Sequence, residues 1–152
     1  MRIHLNHLFS HAGGGAVNDA KRRLRSVFLY GAVLDALALV PMLSRRVERI
    51  MWGIGDTDER YSYAMAYGAP LMAGWTGLLA WAARKPLERR FVAPLTLQVV
   101  VGLVLVQIYA TRKGVIRAGR LAPTLGLQAF TAWLFARAWL RSGPRVVREI
   151  DE

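Results

Sequence analysis

The chain has 152 residues, enough for one domain, and combines a 54% hydrophobic content with 20% charged residues and a formal net charge of +11. Such basicity in a soluble protein would suggest nucleic acid, but no basic stripe with interleaved aromatics lies outside the apolar runs, so nucleic acid is set aside as a partner. The lack of cysteine excludes a disulfide framework, thiol redox relays and thiolate metal sites at once.

A mean hydropathy of +0.25 is compatible with this many charges only if charged and apolar residues are segregated. They are. Residues 1–26 are polar and basic, and no small-residue cleavage site follows the first apolar run at Pro41, Met42 and Leu43, so the segment is read as retained and not as a signal peptide. Ile3, Leu5, Leu8 and Phe9 predict a short interfacial helix that Gly13, Gly14 and Gly15 would break. His4, His7 and His11 would share a helical face, but imidazoles seven residues apart do not easily share one ion, and no carboxylate or cysteine joins them. No metal or other cofactor is expected.

The first apolar run, residues 27–43, carries one acid, Asp35, near its middle. A charge at membrane depth costs about 2.5 to 3.5 kcal/mol even on the gentlest scale, so it marks a functional site or a buried interhelical contact. Gly31, Ala32 and Ala38 lie on the side of Asp35, with Leu29, Val33, Leu37 and Val40 opposite. Helices in lipid pack through small residues, so the Asp35 side should face a bundle and the bulky side lipid.

Residues 44–62 form the longest connection, with Trp52, Tyr61 and Tyr63 at the level of a membrane interface. Asp56 and Glu59 have the spacing of an N-cap and its N3 partner, which starts a helix near Thr57. The second run covers residues 64–83, and its Ala69, Ala73, Gly77 and Ala80 form a small-residue line expected to be the tightest helix contact and a route to self-association as a homo-oligomer. The basic loop RKPLERR leads to the third run, residues 91–110, with Pro94 in its first turn and Gln98 and Gln107 as its buried polar groups. A second basic loop precedes the fourth run, residues 121–140, again with a first-turn proline, Pro123, and residues 142–152 form a polar tail.

Runs of this length reach about 26 to 30 Å as helices, enough to cross a hydrocarbon core. The fold expected is therefore all-α, a four-helix transmembrane bundle over residues 27–141. With both termini cytoplasmic, that side holds twelve Lys or Arg against eight on the other, and the excess would meet anionic lipid head groups. The location implied is a cell membrane, inner or plasma. Counting inward from those ends places Asp35, Thr76, Gln98 and Thr131 in one polar layer about 12 to 15 Å deep. Buried there, Asp35 is expected to be a largely neutral acid donating one hydrogen bond to Gln98, Thr76 or Thr131. Arg137, four residues from Arg141, is expected to snorkel to the head groups and not to pair with Asp35.

The stretch YGAPLMAGWTGLLAWAARKPLERR with the following FVAPLTLQVVVGL, and the YGAVLDALALVPML run, resemble an uncharacterised family of small four-helix membrane proteins of bacteria and archaea. That resemblance covers the first three runs and implies a four-helix bundle with no assigned activity. The layout is more distantly similar to DoxX-like and EXPERA-like proteins. Sterol isomerases of the latter kind carry more intramembrane acids than the single Asp35 here, a departure that argues against isomerase chemistry.

No nucleophile elbow, HExxH, phosphate-cradling glycine loop or close carboxylate pair is present in the sequence. The leading expectation is a non-enzymatic membrane protein, structural or accessory to a membrane partner. Its alternative is a proton-coupled transporter or lipophile-binding protein using Asp35, and a lipid-modifying enzyme ranks third.

Overall fold

The computed structural model describes residues 5–44, 46, 47, 50, 59–114 and 118–143. Among these the chain is all-helical, with no strand and four helices: α1 Leu5–Leu43, α2 Glu59–Ala82, α3 Val92–Arg112 and α4 Ala118–Arg141. His4, Asp56 and the tail from residue 144 lie outside the described residues, and with them the histidine stripe and the N-cap expected of Asp56.

Helix α1 corrects two expectations. It runs unbroken through Gly13, Gly14 and Gly15 and across the boundary expected at Ser26. Glycine weakens a helix by about 1 kcal/mol relative to alanine, but it keeps its N–H, so the hydrogen-bond ladder continues where proline would interrupt it. The resulting 39 residues extend about 58 Å. The inner face of α1 begins before the apolar run, with Ala20, Leu24, Val27, Phe28, Gly31 and Ala32 all buried. These positions return every three or four residues, as one helical face requires. The opposite face is exposed as the sequence predicts, Val33 and Leu37 at 60% and 62%.

Helix α4 starts at Ala118, earlier than expected, which moves Pro123 from the first turn to the second. Pro70 and Pro123 each lie inside a helix that continues past them.

The core sits at one end. Leu24, Phe28, Leu79, Ala82, Val92, Ala93 and Phe135 are fully buried together, next to the turn that joins α2 to α3. That turn is itself held down: Pro86 is fully buried, the Arg89 guanidinium lies 3.5 Å from the Trp81 ring and donates to the Trp81 carbonyl, and Lys85 pairs with Glu88 at 3.0 Å. Arg90 donates to the Ser142 carbonyl at 2.6 Å while its guanidinium stands 5.0 Å from the Trp139 ring, tying the turn to the end of α4. At the other end, Tyr63, Tyr67 and Leu71 of α2 and Val101, Leu105, Val106 and Tyr109 of α3 are exposed.

Packing is closest between α1 and α2 and between α3 and α4; α1 and α4 join the two pairs, while α2 and α3 touch least among neighbouring helices. The ring α2–α1–α4–α3 is thus weakest on its fourth side. Two segments, Val17–Leu43 of α1 and all of α3, are long and apolar enough to cross a membrane, and little of either is buried within the chain. A core helix of a soluble protein would bury most of such a segment. Helix α2 owes its lower hydropathy to Ala, Gly, Tyr and Trp, and α4 to Gln128, two threonines and Arg137.

Candidate functional site

Asp35 lies one turn beyond Gly31 on α1, half-buried, at the height where the packed core gives way to the looser end. Among the described residues no hydrogen bond joins it to the three partners expected of it. The Thr76 hydroxyl donates to the Met72 carbonyl of its own helix at 2.9 Å. Thr131 is buried and donates to the Leu127 carbonyl at 2.9 Å. That bond uses its one proton, so in the 3.3 Å contact between hydroxyls it is Tyr30 that donates to Thr131. A tie between α1 and α4 does exist at this depth, but Tyr30 makes it.

Gln98 is exposed, a second correction to the polar layer. The inner face of α3 is set by Val92, Ala93, Thr96 and Val100, and Gln98, two residues from each of the last two, falls about 200° around the helix from them. Gln107, seven residues beyond Val100, returns to the inner face, and its Oε1 is buried.

The small-residue line of α2 also faces differently from expectation. Ala69 is buried, but Ala73, Gly77 and Ala80 are exposed, and a Cβ built on Gly77 would meet nothing within 4 Å. Each four-residue step overshoots a full turn by about 40°, so a line that starts at the edge of the inner face has left it by Gly77. The inner face passes instead through Trp75, Leu79 and Ala82. The close approaches belong to other glycines. A Cβ on Gly31 would stand 2.9 Å from Phe135 Cζ and 3.2 Å from Leu79 Cδ1, and one on Gly68 would stand 2.9 Å from Met42 Cε.

These contacts fix the register. From Gly31 to Met42 is eleven residues along α1, and from Leu79 back to Gly68 is eleven along α2, so the pair runs antiparallel without slippage. Four residues on from Gly31 is Asp35, and four back from Leu79 is Trp75. Phe28 packs on Phe135 with ring centroids 6.1 Å apart; seven residues on from the first is again Asp35, and seven back from the second is Gln128. Asp35, Trp75 and Gln128 therefore share one height on three helices.

Trp75 Nε1, Gln107 Oε1 and Gln128 Oε1 are each buried without a hydrogen-bond partner among the described residues, as is Ser62 Oγ. A buried polar group left unpaired costs about 1 to 3 kcal/mol, so each of these calls for an explanation. Sequence reasoning named Gln107 but missed Trp75 and Gln128. The signal for Gln128 is its position three residues before Thr131 and seven before Phe135, on one face; Trp75, inside an apolar run, carries none. Arg137 is exposed, its guanidinium 5.0 Å from the Trp133 ring and directed away from this set.

Comparison with protein families, curated proteins and solved structures finds no match. Function has to be read from the geometry alone. Among the described residues no three of His, Cys, Asp and Glu come together as a metal site.

Proposed function

We propose that the chain is a four-span membrane bundle that binds a membrane-soluble lipophile at Asp35 and catalyses no reaction. The observation that carries this reading is the half-buried Asp35 at one height with the unpartnered Trp75 and Gln128. The three partners expected for a structural knot do not bond to the acid: the Thr76 and Thr131 hydroxyls donate within their own helices and Gln98 faces outward. Apolar side chains are exposed on all four helices, among them Leu37, Leu71, Leu105, Val106 and Phe130, as lipid contact requires. A proton-coupled carrier would use the same acid, whereas a lipid-modifying enzyme would need a second acid or base that the site lacks among the described residues.

The packed end carries Lys21, Arg22, Arg23, Arg25, Arg84, Lys85, Arg89 and Arg90, which favours the cytoplasmic side for it and for both termini, with anionic head groups as its surroundings. The outward-facing Ala73, Gly77 and Ala80 favour a second, compatible role in contact with another copy or an accessory partner.

Because the chain has no cysteine, single cysteines at Gly114 and Gly143 report topology by labelling with a membrane-impermeant maleimide in intact cells. Opposite accessibility is expected; equal accessibility removes the four-span arrangement. Native mass spectrometry of the protein released from nanodiscs is expected to show a retained lipophile that Asp35→Leu loses. Identical spectra for the two proteins would return Asp35 to a structural role.

A further inference from the structure

We infer that the outer face of α4 binds one anionic phospholipid, with the lipid phosphate between the guanidiniums of Arg137 and Arg141 and an acyl chain along Trp133 and Phe130. The inference rests on the four-span membrane reading above and is independent of the lipophile site at Asp35.

Phe130, Trp133, Arg137 and Leu140 follow one another at steps of three, four and three residues, which lines them up along one side of α4. All four are exposed, Phe130 and Trp133 at 50% and 51%. Arg141, one turn beyond Arg137, completes a groove of about 420 Å³ lined by Trp133, Ala136, Arg137, Leu140 and Arg141. The stripe changes character along the helix, from aromatic rings to guanidiniums at the packed, basic end. Arg137 lies about 6 Å and Phe130 about 16 Å inside Arg141 along the axis, the depth order of a lipid phosphate and its acyl chain.

The aromatic part is braced from within the chain. Trp133 stacks on Phe130 with ring centroids 5.9 Å apart, and Phe130 in turn meets Tyr30 of α1 edge-on at 6.3 Å. The Arg137 guanidinium stands 5.0 Å from the Trp133 ring centre, and a guanidinium held over a ring still presents its N–H edge to an oxygen. Side chains four apart on a helix start from Cβ atoms about 5 to 6 Å apart, so Arg137 and Arg141 can converge on one phosphate. Each carries five donors and no acceptor, and the ion pairs among the described residues, Arg22 with Asp19 and Lys85 with Glu88, involve neither. A phosphatidylcholine offers the same phosphate but brings its trimethylammonium beside the two guanidiniums, a repulsion that a phosphatidylglycerol lacks.

The test titrates phosphatidylglycerol and phosphatidylcholine with the same acyl chains into the full chain in neutral detergent micelles and follows the first bound lipid by native mass spectrometry. Phosphatidylglycerol is expected to bind about tenfold tighter, since each basic residue at a membrane surface adds several-fold to the affinity for an anionic lipid. Arg137→Gln with Arg141→Gln should remove that preference. Arg84→Gln with Lys85→Gln, which removes the same charge at the same end but in the α2–α3 turn, should keep it. Trp133→Leu should weaken phosphatidylglycerol about threefold by releasing Arg137 from its ring. Circular dichroism verifies the fold of each variant, and Arg141→Gln alone, with an expected loss of about threefold, carries the test if the double variant does not fold. No preference in the parent, or equal losses in the two double variants, would reduce the groove to general surface charge and overturn the inference. Displacement of the lipid by millimolar inorganic phosphate would show an anion site without an acyl contact and would overturn it equally. The membrane reading fails separately: a chain that stays in solution without detergent and does not float with vesicles would remove the bilayer and the docked lipid together.

Discussion

Gly31 and Phe135 meet so closely that a single added carbon on the glycine would lie 2.9 Å from the ring. The ring cannot swing away, because it is fully buried and packed on Phe28. Overpacking of this kind costs about 1 to 3 kcal/mol. Gly31→Leu is therefore expected to lower the melting temperature in detergent clearly, and an unchanged melting curve would mean that α1 and α4 do not touch here.

Gly77 gives the opposite expectation. Its surroundings within the chain are empty to 4 Å, so Gly77→Leu should leave the stability of the monomer within about 0.5 kcal/mol of the parent. If the outward line of Ala73, Gly77 and Ala80 meets another copy, the same variant should reduce crosslinked dimer in membranes. A large loss of monomer stability would place Gly77 on the inner face after all.

The Tyr30–Thr131 contact is a single hydrogen bond between hydroxyls, and Thr131 keeps its bond to Leu127 when Tyr30 loses its oxygen. Polar contacts between membrane helices average about 0.6 kcal/mol, so Tyr30→Phe should cost no more than that in a reversible unfolding measurement. Thr131→Val removes the acceptor instead and leaves the half-buried Tyr30 hydroxyl without it, which should cost more. A larger effect for Tyr30→Phe than for Thr131→Val would reverse the donor assignment.

Arg90 joins the α2–α3 turn to the end of α4 through one carbonyl and one indole ring. A hydrogen bond with a charged donor contributes about 1.5 to 3 kcal/mol. Arg90→Ala should accordingly speed hydrogen exchange of the amides at Trp139 to Ser142 while those near Leu127 stay protected. Arg90→Lys should restore little, because an ammonium cannot stack on the indole and reach the carbonyl in one planar group.

The helices, and the outward face of the first one, are legible in the amino-acid order. Helix-length apolar runs separated by basic turns leave no other regular structure for residues 64–83 or 91–110, and the split of Gly31 and Ala32 from Val33 and Leu37 follows from 3.6 residues per turn. The amino-acid order also marks Asp35 as the one acid within those runs. Which neighbours that acid has depends on how the helices pack. Depth along a helix can be counted from its ends, but facing cannot: Gln98 and Gln107 look alike in sequence, and a rotation of about half a turn puts one outside and one inside. The line from Ala69 to Ala80 turns outward for the same reason, since a four-residue period drifts from the inner face on which Trp75 and Leu79 lie. Register between helices depends on where the bulkiest side chains find room, here Phe135 and Leu79 against Gly31, and that contact between distant parts of the chain is what levels Asp35 with Trp75 and Gln128.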